Sequence, residues 1–132
     1  MKITDLKPTI VWKFFHQVTQ GPRPSKKEGK MIEFLESFAK EYKIAIKKDE
    51  AGNLLMSKPA TPGMEDRPVV VLQSHMDMVC EKNNGTKHDF DNDPIETIVD
   101  GEWLRANGTT LGADNGIGVA AELALLASDD IQ

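Results

Sequence analysis

His75 and Asp77 stand one residue apart where the apolar run of VVVLQSHMDMVC, Val69 to Cys80, gives way to polar residues. An imidazole and a carboxylate at this spacing can act as one unit. Side chains alternate along an extended chain, so positions 75 and 77 point to the same side. Asp77 can then accept the N–H of one ring nitrogen, which fixes the tautomer and leaves the other nitrogen to bind a metal ion. His-x-Asp is also a common pattern, and either residue could simply satisfy backbone groups at a strand end.

A second carboxylate follows in Asn107–Gly118, NGTTLGADNGIG. Asp114 has two readings there. It can cap the apolar helix that comes after it, or it can be a ligand within reach of His75, where a carboxylate can bridge two divalent ions about 3.5–4 Å apart. The two roles do not exclude each other. A phosphate-binding turn is disfavoured, because Gly112–Gly116 has no Lys and puts an anion where a phosphate would sit. His16 lies beside the apolar face of a helix and reads as a partly buried surface residue. His88 lies in a polar loop and reads as solvated. Cys80 reads as a small buried apolar group, and no Ser–His–Asp or Cys–His arrangement has supporting context.

These residues need elements to carry them. Three valines and a leucine in a row predict a strand buried on both faces, as in the middle of a parallel sheet. Ligands of open α/β sheets sit beyond the carboxyl ends of such strands, which is where His75 and Asp77 would lie. Ahead of it, Ile10, Val11, Phe14, Phe15 and Val18 predict a helix over Pro8–Val18, ended by Gly21-Pro22. Ser25-Lys-Lys-Glu28 fits a capping box for a second helix, continued by Met31, Leu35, Phe38 and Tyr42. Ile44–Lys48 and Leu54–Ser57 predict a hairpin across a Gly- and Asn-containing turn. Residues 58–68 are a Pro-rich loop, and 81–96 a long polar loop for which function or disorder is to be suspected. Ile98-Val99 and Trp103-Leu104 predict short strands around Asp100-Gly101. The helix from Ile117 to Ala127 is apolar nearly all round and therefore buried. The expected class is α/β, a mixed and mainly parallel sheet with flanking helices.

With 132 residues the chain has the size of about one domain. A net charge of −5 argues against nucleic acid as a partner, which requires a basic face. No run approaches the length of a membrane span, and MKITDLKPTI lacks the apolar core of a signal peptide. A single cysteine allows no internal disulfide and suits a reducing, cytoplasmic setting.

SHMDMVCEKN, from Ser74, followed by TLGADNGIGVA, from Thr110, closely resembles the bacterial aminoacyl-histidine dipeptidases, also called cytosol non-specific dipeptidases. These are co-catalytic zinc peptidases, grouped with carnosinases, aminoacylases and glutamate carboxypeptidases. The resemblance covers nearly the whole chain, including Gly-Pro-Arg-Pro-Ser25. It implies that His75 ligates one metal ion, that Asp77 orients the imidazole as the catalytic partner, and that Asp114 bridges two ions. Zinc is the implied ion, with cobalt and manganese also suited to such ligands. It implies too that Asn115 follows Asp114 across a peptide bond that is often cis in such enzymes.

The resemblance also marks a departure. The family's general-base Glu and adjoining acidic ligand come as an acidic pair after the bridging Asp. Here Glu122 lies on the apolar helix and Asp129-Asp130 at a frayed end. A further acidic ligand, a distant C-terminal His and the lid domain of these enzymes have no counterpart. Residues 1–132 are therefore expected to be the N-terminal portion of a zinc-exopeptidase-like catalytic domain, inactive alone. The parent is expected to hydrolyse dipeptides, Xaa-His among them, as a homodimer, while the chain itself self-associates through apolar surface left uncovered. A non-enzymatic α/β binding module and an amidase acting on N-acyl amino acids are the alternatives. An acidic pair soon after Gln132 would separate the enzyme from the binding module.

Overall fold

The computed structural model describes residues 1–131. A 3-10 turn at Ile3–Asp5 leads into helices α1 (Thr9–Gln20) and α2 (Gly29–Glu41). Two hairpins follow, β1–β2 (Ala45–Lys48 and Leu54–Ser57) and β3–β4 (Thr97–Asp100 and Trp103–Ala106), and then helix α3 (Ala113–Ala127).

The core is helical. Phe14, Phe15 and Val18 of α1, Met31, Leu35 and Phe38 of α2, and Val119, Ala120, Leu123 and Ala124 of α3 form one buried cluster. The rings of Phe14 and Phe38 meet edge to face at 5.4 Å, and Phe38 lies 4.6 Å from Tyr42. α1 packs along α3, so the apolar circumference of α3 has a partner on the side of Val119 and Leu123. Gly21 stops α1, its N–H returning to Val18 O. At the end of α2, Lys43 takes a left-handed conformation at φ 55. Ile44 N then donates to Ala39 O at 2.8 Å, the six-to-one bond of a Schellman stop.

Both hairpins form where the sequence predicts them. Lys48 pairs with Leu54 and Asp100 with Trp103, each pair antiparallel. Asp49 shapes the first turn, its Oδ1 accepting Asn53 N at 2.8 Å. Residues 81–96 carry no long element but are well tied. Ile95 is buried and its N–H donates to Thr19 O, and Lys27 and Lys30 both bond to Asp91.

Three expectations are corrected. The mixed helix and strand content is as expected, but the sheets among the described residues are two-stranded and antiparallel, not mainly parallel. The predicted buried strand at 69–72 is an irregular segment, with Val69, Val70 and Val71 at 90%, 80% and 79% exposure. A strand exists through its ladder, and among the described residues neither hairpin borders this run; Met78, further on, makes an isolated parallel bridge to Pro24. Ser25 does not cap α2. Lys26 turns the chain at φ 69, the helix starts later at Gly29, and Glu28 Oε1 accepts Lys26 N at 2.6 Å.

Candidate metal centre

The structure brings His75, Asp77 and Asp114 together. His75 Nδ1 lies 3.0 Å from Asp77 Oδ1, and Nε2 lies 3.0 Å from Asp114 Oδ1. The imidazole thus stands between two carboxylates contributed by segments 39 positions apart in sequence. Both ring nitrogens can donate at once only in the protonated ring. The ring is accordingly held above the usual histidine range, chiefly by the bond to Asp114, with burial opposing and Asp77 assisting. A metal ion at Nε2 would take the place of that proton, while Nδ1–H stays on Asp77.

Asp77 has its own support. Its Oδ2 accepts the hydroxyl of Ser25, which holds the carboxyl below its ordinary value, with the imidazole adding to the effect. Ser25 is therefore a site residue that sequence reasoning assigned to a helix cap. The only sequence hint is its place in the Gly-Pro-Arg-Pro-Ser turn.

Asp114 does not cap α3. Gly112 occupies the cap position in the left-handed region, and φ and ψ at Asp114 (−93, 103) are not helical. Capping falls to the next residue, Asn115, whose Oδ1 accepts Gly118 N at 3.1 Å. The Asp114–Asn115 peptide is cis. The Asp114 carboxylate projects outward with 96% of its side chain exposed, so its second oxygen is open to a ligand.

Two side chains hold these segments in place. Ser74 Oγ donates to Glu122 Oε2 on α3 at 2.7 Å. Arg23 Nη1 donates to Met76 O at 3.2 Å, and Arg23 Nη2 donates to Gly112 O at 2.8 Å. Burial pulls the Arg23 guanidinium down to about 10, against Cys80 and Asp77, which favour its charged form. It still carries its charge at neutral pH. Downstream, Thr110 Oγ1 donates to Val79 O and Thr110 N to Glu81 O, joining the same two segments again.

The remaining histidines lie apart from this group. His88 packs its ring edge to face against Phe90 at 4.5 Å, and is half-buried rather than solvated. His16 stays on α1 as a half-buried residue. Cys80 is half-buried too, and burial raises its thiol above the ordinary value.

Among the described residues, no group of three or more His, Cys, Asp or Glu side chains is placed to hold a metal ion. Imidazole nitrogen and carboxylate oxygen are donors that zinc accepts, and structural zinc sites take about four of them. His75 and Asp114 fit such an ion as two ligands converging on one point, with Asp77 behind the ring. Further ligands would have to come from outside these residues.

No family model matches the chain. A search of characterised proteins finds 48% identity over 130 residues, 98% of this chain, with the cytosol non-specific dipeptidase of Escherichia coli (strain K12). Among solved structures, aminoacylhistidine dipeptidase from Vibrio alginolyticus superposes on the whole chain with a TM-score of 0.97 and 48% identity. A tripeptidase from Staphylococcus aureus covers 89% of the chain with a TM-score of 0.71 and 24% identity, a likeness of fold. The chain spans 27% of the length of each of the first two proteins and 31% of the third. Among the described residues, no helix is long and apolar enough to cross a membrane.

Proposed function

We propose that residues 1–132 are the N-terminal portion of the catalytic domain of a metal-dependent dipeptidase, and that they furnish half of its metal site. The observation that carries this reading is the convergence of His75 Nε2 and Asp114 Oδ1 at 3.0 Å, with Nδ1 of the same ring backed by Asp77. The 48% identity to a dipeptidase over nearly the whole chain supports it.

His75 would hold one ion and Asp114 would bridge to a second, both zinc by preference, with cobalt and manganese acceptable to the same donors. When bound, such ions supply positive charge that polarises a scissile carbonyl and acidifies a water. The chain's own residues do the positioning. Asp77 takes the Nδ1 proton and so turns the Nε2 lone pair outward. The Ser25 hydroxyl keeps Asp77 ionised for that role. Asp114, barely covered by its neighbours, keeps one oxygen open and shares the other only with His75 Nε2.

The substrate on this reading is a dipeptide, Xaa-His among others, and the setting is cytoplasmic. The resemblance implies that the parent is a homodimer. The exposed run Val69–Leu72 fits a central strand of a mainly parallel sheet whose neighbours come from elsewhere in the parent. In the isolated chain that run would promote self-association.

The test is hydrolysis of Xaa-His dipeptides with added zinc. The isolated chain should give no metal-dependent turnover, because on this reading the acidic pair that supplies the general base lies elsewhere in the parent; clear turnover would mean that the base has been misassigned. In the full-length protein, Asp114→Ala should abolish activity, and retained activity would remove Asp114 from the bridging role.

A further inference from the structure

We infer that Arg23 is a positioning residue of this site, a buried clamp that sets the distance between the His75–Asp77 segment and the turn carrying Asp114. The inference rests on the metal-site reading above, which names His75 and Asp114 as the ligands.

Arg23 lies between Pro22 and Pro24, which fix the backbone on either side of it. Only 1% of it is exposed, and among the described residues it makes no ion pair. A charge in that position is costly unless hydrogen bonds compensate it. Its bonds go to main-chain oxygens of both site segments. Nη1 donates to Met76 O at 3.2 Å, with Asp77 O at 3.5 Å, and Nη2 donates to Gly112 O at 2.8 Å. The backbone repeats the first link, since Met78 N donates to Arg23 O at 3.0 Å.

The glycine turn is shaped around this guanidinium. A Cβ at Gly112 would stand 2.5 Å from Nη2, and one at Gly116 would stand 2.7 Å from it. The planar fork carries its two terminal nitrogens at a fixed separation, which an ammonium cannot reproduce. The charge opposes a bound metal ion, because a buried cation disfavours a second cation nearby. What the residue supplies is the spacing.

Charge and spacing predict opposite signs. Removing the charge with Arg23→Met should tighten zinc binding if electrostatics dominates. It should weaken binding if the clamp does, by about 10–100-fold, the usual effect of losing an outer support of a metal site. Arg23→Lys keeps the charge and loses the fork, so a clamp predicts weakened binding and a charge role predicts none.

The experiment titrates zinc calorimetrically into the full-length protein, with His75→Ala marking the site-specific signal. Leu35→Ala, a buried substitution on α2, serves as a destabilised control that should keep wild-type affinity. The crystal structures of Arg23→Lys and Gly116→Ala report the Nε2–Oδ1 separation without any metal. Weakened zinc binding together with a widened separation is the expected result. A separation kept at 3.0 Å in both variants overturns the clamp, as does unchanged affinity in Arg23→Lys. If the unmodified full-length protein gives no signal that depends on His75, the metal-site reading fails instead, and the separation still decides the clamp.

Discussion

Replacing Gly112 by Ala tests how tightly the Asp114 turn is built. Gly112 sits at φ 71, ψ 28, a left-handed conformation that costs an L-residue about 1–2 kcal/mol. The added Cβ would also lie 2.5 Å from Arg23 Nη2 and 2.8 Å from Met78 Sδ. Arginine ends usually swing away, but this one is enclosed and bonded to the Gly112 carbonyl itself. Forcing extra volume into such a place costs about 1–3 kcal/mol. The sum is about 2–5 kcal/mol, a large share of the ~5–15 kcal/mol that holds an ordinary domain together. Gly63 separates the two contributions. It has φ +84, and a Cβ added there would meet nothing within 4 Å, so Gly63→Ala should lose only the conformational part, about 1–2 kcal/mol. Equilibrium urea unfolding of both variants, with unchanged m, gives the comparison. Equal losses at the two positions would refute the claim that the turn is packed around the guanidinium.

Other perturbations address separate parts of the molecule. In the full-length protein, Asp77→Ala should weaken zinc binding about 10–100-fold by freeing the His75 ring; calorimetry showing unchanged affinity would deny Asp77 its orienting role. Changing Val70 and Val71 together to Ser should alter stability by no more than about 0.5 kcal/mol each, because both side chains are exposed. The same change should lower self-association in sedimentation. Asn53→Ala should raise the Asp49 carboxyl, which the Asn53 side chain, then its backbone N–H, holds below the ordinary value. A lowered carboxylate contributes stability above the unfolded value of about 3.9, and loses it as pH falls through the folded value. The variant should therefore be less stable than the parent at neutral pH and equal to it in strong acid. Carboxyl titration by NMR and unfolding at several pH values check both statements.

Local signals placed the helices and hairpins because their causes are local. The apolar spacing of Phe14, Phe15 and Val18 puts one face of α1 in the core, and Asp49 with Asn53 closes its own turn. Val69–Leu72 shows the limit of that logic. Its composition is that of a strand, but a strand also requires flanking backbone, and the described residues place none beside it. Ser25 marks a second limit. Its spacing to Glu28 satisfies a capping pattern, yet the left-handed turn at Lys26 redirects the chain, and the hydroxyl bonds to a carboxylate 52 positions away.

The site divides along the same line. His75 and Asp77 were readable together because side chains two apart on an extended chain point to one side. Asp114 was readable as a carboxylate in a glycine-rich turn, while its choice between cap and ligand was not, since that depends on Asn115 taking over the cap. Arg23 left no pattern to read. Its partners are main-chain oxygens 53 and 89 positions away, and a carbonyl oxygen looks the same at every residue. What the sequence does contain is the imprint of the guanidinium on its neighbours. Prolines hold the backbone on either side of it, and glycines at 112 and 116 leave the space it fills. Glycines that serve only to form a turn would tolerate a methyl wherever φ permits. Gly116 has no left-handed φ to protect, and its Cβ would still meet Arg23 Nη2 at 2.7 Å, so here the missing side chain makes room for a distant residue.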